Sequence, residues 1–254
     1  MTGLLVSVRS SWEARLALEG GADVVDLKEP ARGALGAAEP AVWAEVASTV
    51  AGRVPTSVAL GEMSEAAEPS DPHALAAFQF AKLGLAGCRA WADWPRRWAE
   101  RLQNFPAGVT PVAVVYADWP LANSPRPEAI LERAAEVRCG VALFDTFCKT
   151  SGSLCHQLGL AQLARLTQLA RDRGMRVVVA GSLGPATIPL ALTLAPDYIA
   201  VRGAACRGAR TGDVDAGLVR GLRRLILGNS RSGRVLSRDA CRTIGEDNRV
   251  RNQR

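Results

Sequence analysis

Three lysines, Lys28, Lys82 and Lys149, are the only exceptions to arginine among the 31 basic residues of this chain. Arginine stays charged in proteins, whereas a buried lysine can lose its proton and attack a carbonyl carbon. The three positions therefore predict amine chemistry. The alternative is three surface lysines in a chain biased toward arginine, but that would not explain why they lie in or just after the apolar runs VVDLK, QFAKL and VALFDT.

Carboxylates accompany these lysines. Asp26 lies two residues before Lys28, so on one strand both side chains point to the same, inward face. Asp145 precedes Lys149 by four residues, and Glu62 follows a third apolar run. Amines and carboxylates that meet in a partly dry pocket change each other's protonation and suit proton transfer. For Asp26 and Asp145, a purely structural ion pair is the alternative.

Two glycine-bearing turns predict a site for phosphate. Gly181 and Ser182 follow the run VVVA, and Arg202, Gly203 and Ala204 follow YIAV. Small residues leave backbone N–H groups accessible to an anion, and Arg202 adds a forked donor. Their place after the last two predicted strands favours a phosphorylated substrate.

The elements that must position these residues alternate along the chain. Short β-branched runs predict eight strands at 4–8, 24–28, 56–60, 79–83, 112–116, 141–145, 176–180 and 198–202. Helical patterns lie between them at 11–19, 40–50, 94–103, 126–137, 157–173, 185–194 and 214–227, whereas 72–77 resembles a loop. Eight such units predict an α/β fold, a single-domain (β/α)8 TIM barrel with its catalytic residues at the carboxyl ends of the strands. A doubly wound open sheet is the alternative, but no GxGxxG turn follows the first strand.

The predicted barrel occupies residues 1–228, and a basic, flexible tail occupies 229–254. That tail holds seven arginines against three acidic residues. A nucleic-acid-binding barrel that uses the tail is an alternative function, but the tail has no aromatic residues among its charges, so we expect a solvated end and no nucleic-acid partner.

Other classes of protein are disfavoured by what the sequence lacks. It has six cysteines without a CxxC pair and only two histidines, so no metal site and no cofactor are expected. The absence of a signal-like start and of a long apolar run predicts a cytoplasmic protein without a membrane partner. Trp94, Trp98 and Leu102 share one helix face, which predicts core packing or the interface of a homo-oligomer.

Several segments together resemble one enzyme family. They are LLVSVRS, GGADVVDLKEP followed by GALGA, FAKLGL, LFDTFCKTSG, VVVAGSLG and YIAVRGAAC. The chain resembles the (5-formylfuran-3-yl)methyl phosphate synthases, also called 4-(hydroxymethyl)-2-furancarboxaldehyde-phosphate synthases, from Leu4 to Leu227. Glu29 departs from the pattern, because archaeal members tend to have Asn there.

The resemblance implies a phosphate-binding barrel that acts early in methanofuran-type cofactor synthesis. Two molecules of the triose phosphate glyceraldehyde 3-phosphate would be joined, cyclised and dehydrated to a furan aldehyde. Lys28 would form the Schiff base and Lys82 would accept a proton, while Asp26, Asp145 and Lys149 match the remaining charged positions. The iminium would replace a Lewis acid, so the chemistry needs no metal. Another class I aldolase or an isomerase of triose phosphates is the alternative.

Overall fold

Eight parallel strands close into one barrel in chain order. The structure, a computed structural model, describes residues 1–65 and 72–229. The strands are β1 (Gly3–Val8), β2 (Val24–Leu27), β3 (Thr56–Glu62), β4 (Phe80–Gly84), β5 (Thr110–Tyr116), β6 (Val141–Asp145), β7 (Arg176–Val179) and β8 (Tyr198–Val201). All eight predicted strands are present, which confirms the single-domain (β/α)8 barrel.

Strand alternation divides the apolar residues between two cores. Inward side chains such as Leu5, Val112 and Leu143 fill the barrel, whereas outward ones such as Val6 and Val115 pack under the helices. Strands buried on both faces therefore have nearly continuous apolar sequences. The few polar residues that point inward must lie in a dry interior, which makes them candidates for chemistry.

Helices cover the outside of the barrel. They are α1 (Ser11–Gly20), α2 (Pro40–Val50), α3 (Pro72–Leu75), α4 (Trp94–Gln103), α5 (Pro127–Glu136), α6 (Leu154–Leu158), α7 (Leu160–Asp172), α8 (Ile188–Leu192) and α9 (216–229). The predicted helix 157–173 is interrupted at Gly159, whose φ of 72° does not continue a helix, so α6 ends there and α7 begins.

Two predictions concern segments at the edge of the described chain. The stretch 72–77, predicted as a loop, forms only the one-turn helix α3. The basic tail from 230 onward lies outside the described residues, so the boundary at 228 stays a prediction. Within the described ranges, none of the helices has the length and apolar content needed to span a membrane.

The aromatic face of α4 packs into the outer core. Trp98 is fully buried, and its ring lies 6.3 Å from that of the partly buried Trp94. Core packing therefore accounts for Trp98. The predicted homo-oligomer stays a prediction.

Candidate active site

Lys28 lies at the mouth of the barrel, directly after β2. Only 8% of its surface is exposed, and its Nζ donates a hydrogen bond of 3.4 Å to the carbonyl oxygen of Ala34. Among the described residues it forms no ion pair. Burial lowers the pKa of Lys28 from 10.5 to about 8, although the carboxylate of Asp145 opposes the shift; the charge of Lys149 adds to it. This amine is therefore partly neutral at physiological pH.

The pair of Lys82 and Asp26 lies one layer deeper. Lys82 is the third residue of β4, aligned with Ala59 and Val112 inside the barrel rather than at its rim, because β4 continues beyond it to Gly84. Its Nζ binds the carboxylate of Asp26 in an ion pair. Asp26 and Lys28 both line a small internal cavity of about 40 Å³, which agrees with the face predicted for both.

Asp26 is held from two sides. Besides Lys82, it accepts a hydrogen bond of 2.9 Å from the hydroxyl of Ser7, which lies beside it in the register of β1 and β2. The carboxylate is fully enclosed, so both bonds are protected from water. The sequence predicts Asp26 and Lys82 as site residues but gives no indication that they bind each other.

Asp145 and Lys149 form a second pair at the rim. Lys149 Nζ lies 2.7 Å from the carboxylate of Asp145 and also donates to the carbonyl oxygen of Thr146. Burial alone would raise the pKa of Asp145, but the charges of Lys149 and Lys28 outweigh that effect and lower it. Asp145 therefore stays ionised between two amines.

The loop that carries Lys149 is held by residues that the sequence analysis did not select. Asp118, which is buried, accepts hydrogen bonds from the backbone N–H of Phe147 at 2.7 Å and of Cys148 at 2.8 Å. On the other side, the hydroxyl of Ser182 donates to the carbonyl oxygen of Lys149 at 3.2 Å. A carboxylate in the sequence YAD directly after a strand was the available signal for Asp118.

The predicted glycine turns line a cavity of about 450 Å³ next to the two rim lysines. Gly181 and Ser182 have φ values of 88° and 51°, so both adopt the left-handed backbone conformation. Gly203 and Ala204 line the same space, as do Lys28 and Lys149. The predicted phosphate turns and the predicted Schiff-base lysine, Lys28, therefore line the same cavity.

Arg202 differs from the expectation of a free phosphate donor. Its guanidinium forms a buried ion pair with Glu13 of α1 and donates to the carbonyl oxygens of Ser7 at 3.1 Å, Arg210 at 2.8 Å and Gly212 at 2.8 Å. With these protein acceptors it fixes the turn after β8. Its predicted contact with phosphate stays a prediction.

Arg210 is the second arginine at this cavity, and the sequence analysis did not select it. The side chain is half-buried and donates a hydrogen bond of 3.1 Å to the carbonyl oxygen of Gly33, so it bridges the turn after β8 to the loop after β2. Burial lowers the pKa of Arg210, while the charge of Asp145 opposes that effect. Arg210 is thus positioned to contribute positive charge to the cavity.

In the part of the chain that the structure describes, no three His, Cys, Asp or Glu side chains lie close enough together to hold a metal ion. The geometry supports chemistry by two amines and one carboxylate, Lys28, Lys149 and Asp145, that line the cavity of the glycine turns, with the pair of Lys82 and Asp26 one layer deeper.

A comparison with protein families finds one model over most of the chain. The model described as 4-HFC-P synthase matches residues 4–223. Proteins named (5-formylfuran-3-yl)methyl phosphate synthase are similar as well. The one from Methanosarcina mazei is 34% identical over 85% of this chain and 95% of its own length. The one from Methanopyrus kandleri is 33% identical over 86% of this chain and 96% of its own.

Solved structures show the same fold at low sequence identity. Thiamine phosphate pyrophosphorylase from Pyrococcus furiosus is similar with a TM-score of 0.60 at 14% identity, covering 90% of this chain and 96% of that one. Phosphoribosylanthranilate isomerase from Thermotoga maritima has a TM-score of 0.56 at 15% identity, covering 90% and 100%. These similarities support the barrel.

Proposed function

Because this chain belongs to the 4-HFC-P synthase family, we propose that it condenses two molecules of glyceraldehyde 3-phosphate into (5-formylfuran-3-yl)methyl phosphate. One inorganic phosphate and two waters balance the reaction. The furan aldehyde would supply a methanofuran-type carrier of one-carbon units. Membership in the family also agrees with the resemblance noted in the sequence.

The setting of Lys28 is the observation that carries this proposal. A nucleophilic amine must be neutral, and Lys28 is buried and, among the described residues, outside any ion pair, whereas Lys82 and Lys149 each bind a carboxylate. The neutral amine attacks the aldehyde carbon, and loss of water gives a protonated imine. Lys28 also lines the cavity of the glycine turns, which places the attack next to the phosphate.

The iminium then acts as an electron sink. The carbon beside it loses a proton, and the resulting enamine attacks the aldehyde of the second triose phosphate to form a carbon–carbon bond. Lys82 accepts the carbon proton after transferring its own to Asp26, its partner in the ion pair. Ring closure, loss of phosphate and water, and hydrolysis of the imine return Lys28 to the amine.

The turns after β7 and β8 hold a substrate phosphate in this proposal. Gly181, Ser182 and Gly203 line a cavity whose charged lining includes Arg210 and Lys149, and their backbone N–H groups are the donors in this proposal. A dianion in this cavity replaces water as the partner of these donors and fixes the aldehyde near Lys28.

The test of the proposal is chemical trapping. Glyceraldehyde 3-phosphate with borohydride adds a stable mass to the wild-type protein at Lys28, and the incubation without borohydride gives a furan that absorbs in the near ultraviolet. Lys28→Arg keeps the charge but forms neither the adduct nor the furan. Because the chain has only three lysines, peptide mapping separates them unambiguously.

Two results decide against the proposal. Furan formation by Lys28→Arg at the wild-type rate would exclude the Schiff base, and an open-chain sugar phosphate as the only product would indicate an aldolase or isomerase on the same site.

A further inference from the structure

A second cavity opens on the other side of the barrel mouth, away from the glycine turns. It has a volume of about 780 Å³ and lies among the loops after β2, β3 and β4. Leu35 lines both this cavity and the small internal cavity that contains Lys28. The carbonyl group of Ala34, which accepts the hydrogen bond from Lys28, belongs to the same wall. The two sides of the mouth therefore meet at Lys28.

Glu62, the last residue of β3, lines this second cavity and is only 8% exposed. The hydroxyl of Tyr116 donates a hydrogen bond to one carboxylate oxygen, and the backbone N–H of Ala86 donates to the other at 2.9 Å. Gly84 leaves the space for this arrangement, since a Cβ there would overlap the carboxylate. The side chain is thus fixed in one position at the edge of the open space.

Glu62 differs from Asp26 and Asp145, the two carboxylates that line the small internal cavity with Lys28. Asp26 is paired with Lys82 and Asp145 with Lys149. Among the described residues, no cationic side chain forms an ion pair with Glu62. Burial raises the pKa of Glu62, although the hydrogen bond from Tyr116 opposes that effect. A carboxyl group without a cation in a dry site is suited to carry a proton.

Tyr116 connects Glu62 to the rest of the site. It is the last residue of β5 and lies beside Asp145 in the register of β5 and β6, so both side chains point into the barrel mouth. The ring of Phe147 packs edge-on against that of Tyr116, with 5.5 Å between centroids, and Phe147 also lines the second cavity. The loop that carries Lys149 therefore covers the pair of Glu62 and Tyr116.

We propose that Glu62 is the general acid of the dehydration steps and that Tyr116 shares its proton. This inference rests on the proposed function. In each step the bond from carbon to hydroxyl oxygen breaks, the oxygen takes the proton of Glu62 and leaves as water, and the electron pair of the neighbouring carbon forms the new double bond. The proton taken from carbon returns to the Glu62 carboxylate through Tyr116 and water in the cavity.

The division of roles follows from the ion pairs. Asp26 and Asp145 are bound to ammonium groups, and neither carboxylate lines the second cavity. Glu62 is the buried carboxyl group that borders open space on the side of Lys28 opposite the phosphate turns. A second triose joined to the Lys28 enamine would extend into this space.

The experiment compares Glu62→Gln with Glu132→Gln. Glutamine reproduces the hydrogen bonds of the protonated acid, because its amide oxygen accepts from Ala86 and its amide nitrogen donates to Tyr116, but it delivers no proton. We expect Glu62→Gln to form the furan about 10² to 10⁴ times more slowly than the wild type. The borohydride adduct at Lys28 forms to the wild-type extent, and a phosphorylated intermediate that retains both waters, and is therefore two waters heavier than the furan, accumulates. Glu132, an exposed carboxylate on α5 that lines neither this cavity nor the cavity of the glycine turns, is the control and keeps the wild-type rate.

Each other outcome has a defined meaning. A wild-type furan rate in Glu62→Gln overturns the inference, and so does loss of the Lys28 adduct in a variant whose melting curve matches the wild type. If Glu62→Gln does not fold, Tyr116→Phe decides: a slower furan rate with an intact adduct supports the inference, and a wild-type rate overturns it. Absence of any adduct in the wild type contradicts the proposed function instead.

Discussion

The three lysines share a side chain but not an environment. Lys82 and Lys149 each have a carboxylate partner, whereas the hydrogen bond of Lys28 goes to a neutral carbonyl oxygen. An ammonium group without a counterion is costly in a dry site, so the buried Lys28 gives up its proton more easily. Residue type alone selects all three positions, and the partners separate the proposed nucleophile, Lys28, from the other two lysines.

The rate of trapping at Lys28 should follow the titration of its amine. Because burial brings the pKa of Lys28 to about 8, the neutral, reactive fraction rises as the pH increases through about 8. Asp145 favours the charged form of Lys28 and Lys149 disfavours it. We therefore expect Asp145→Asn to move the midpoint of trapping to lower pH and Lys149→Met to move it to higher pH, each by about one unit.

Initial rates of borohydride trapping between about pH 6 and 10 measure these midpoints. The two variants act as controls for each other, because both break the same ion pair and differ only in the charge left behind. Shifts in the same direction would contradict the assigned electrostatics, as would two unchanged midpoints.

The loop after β6 depends on Asp118, a carboxylate that lines neither the cavity of the glycine turns nor the second cavity. Asp118, just beyond β5, accepts from two consecutive backbone N–H groups, those of Phe147 and Cys148, and so fixes the turn that leads to Lys149. Asp118→Ala removes both acceptors, whereas Asp118→Asn keeps one oxygen. We expect activity to fall in the order wild type, Asp118→Asn, Asp118→Ala. The loss for Asp118→Ala is roughly 10²-fold, because a small displacement of a positioned group strongly lowers the reaction rate.

Steady-state kinetics test this order, and limited proteolysis of the segment 146–153 reports the loosening of the loop. Since Asp118 acts through position alone, trapping at Lys28 should keep its wild-type pH midpoint in both variants. A moved midpoint would show that Asp118 acts through its charge instead.

The elements of the barrel could be predicted because their signals are local. A strand of a parallel barrel is buried on both faces, so an apolar run such as VVVA predicts a strand without knowledge of the strands beside it. The break at Gly159 was missed, since the apolar periodicity continues on both sides of the glycine and only its φ value reveals the interruption. The boundaries of a helix depend on single backbone angles, and hydrophobic periodicity does not reveal these angles.

Partners within the site were harder to predict than its members. The sequence selects Asp26, Lys82 and Arg202, but the ion pair of Arg202 joins residues 189 positions apart and removes its guanidinium from the pool of free donors. The bond between Tyr116 and Glu62 likewise joins two strands that are not adjacent in the barrel. Such contacts follow from barrel closure, which no local pattern encodes.

The apolar interior of the barrel makes the buried charges of the site costly for the stability of the fold. Its interior is packed with apolar side chains, and the polar residues form layers near the carboxyl end, with Asp26 and Lys82 below Lys28 and Asp145. Paired charges in these layers offset part of their desolvation, but Lys28 has no ion pair among the described residues. The residue proposed to carry the chemistry should therefore lower the stability of the fold.

Lys28→Met should make the folded protein more stable. The pKa of Lys28 falls from 10.5 in the unfolded chain to about 8 in the fold, which corresponds to a cost of roughly 3 kcal/mol at pH 7. Methionine has a similar length and carries no charge, so it recovers most of that cost. Lys149→Met is the matched contrast, because it leaves the buried Asp145 without its partner and should destabilise the protein by a few kcal/mol.

The pH dependence identifies the cause of this stabilisation. The cost of burying Lys28 is complete below about pH 8, where both states bind the proton, and disappears above pH 10.5, where neither does. Between these values the unfolded chain binds more protons, so the wild type gains stability with rising pH relative to Lys28→Met. Denaturant titrations of both proteins at about pH 7 and pH 10 measure their free energies of unfolding. The difference between the two proteins should be smaller at the higher pH. If the difference in the free energy of unfolding does not change with pH, the higher stability of Lys28→Met comes from packing rather than from the removed charge.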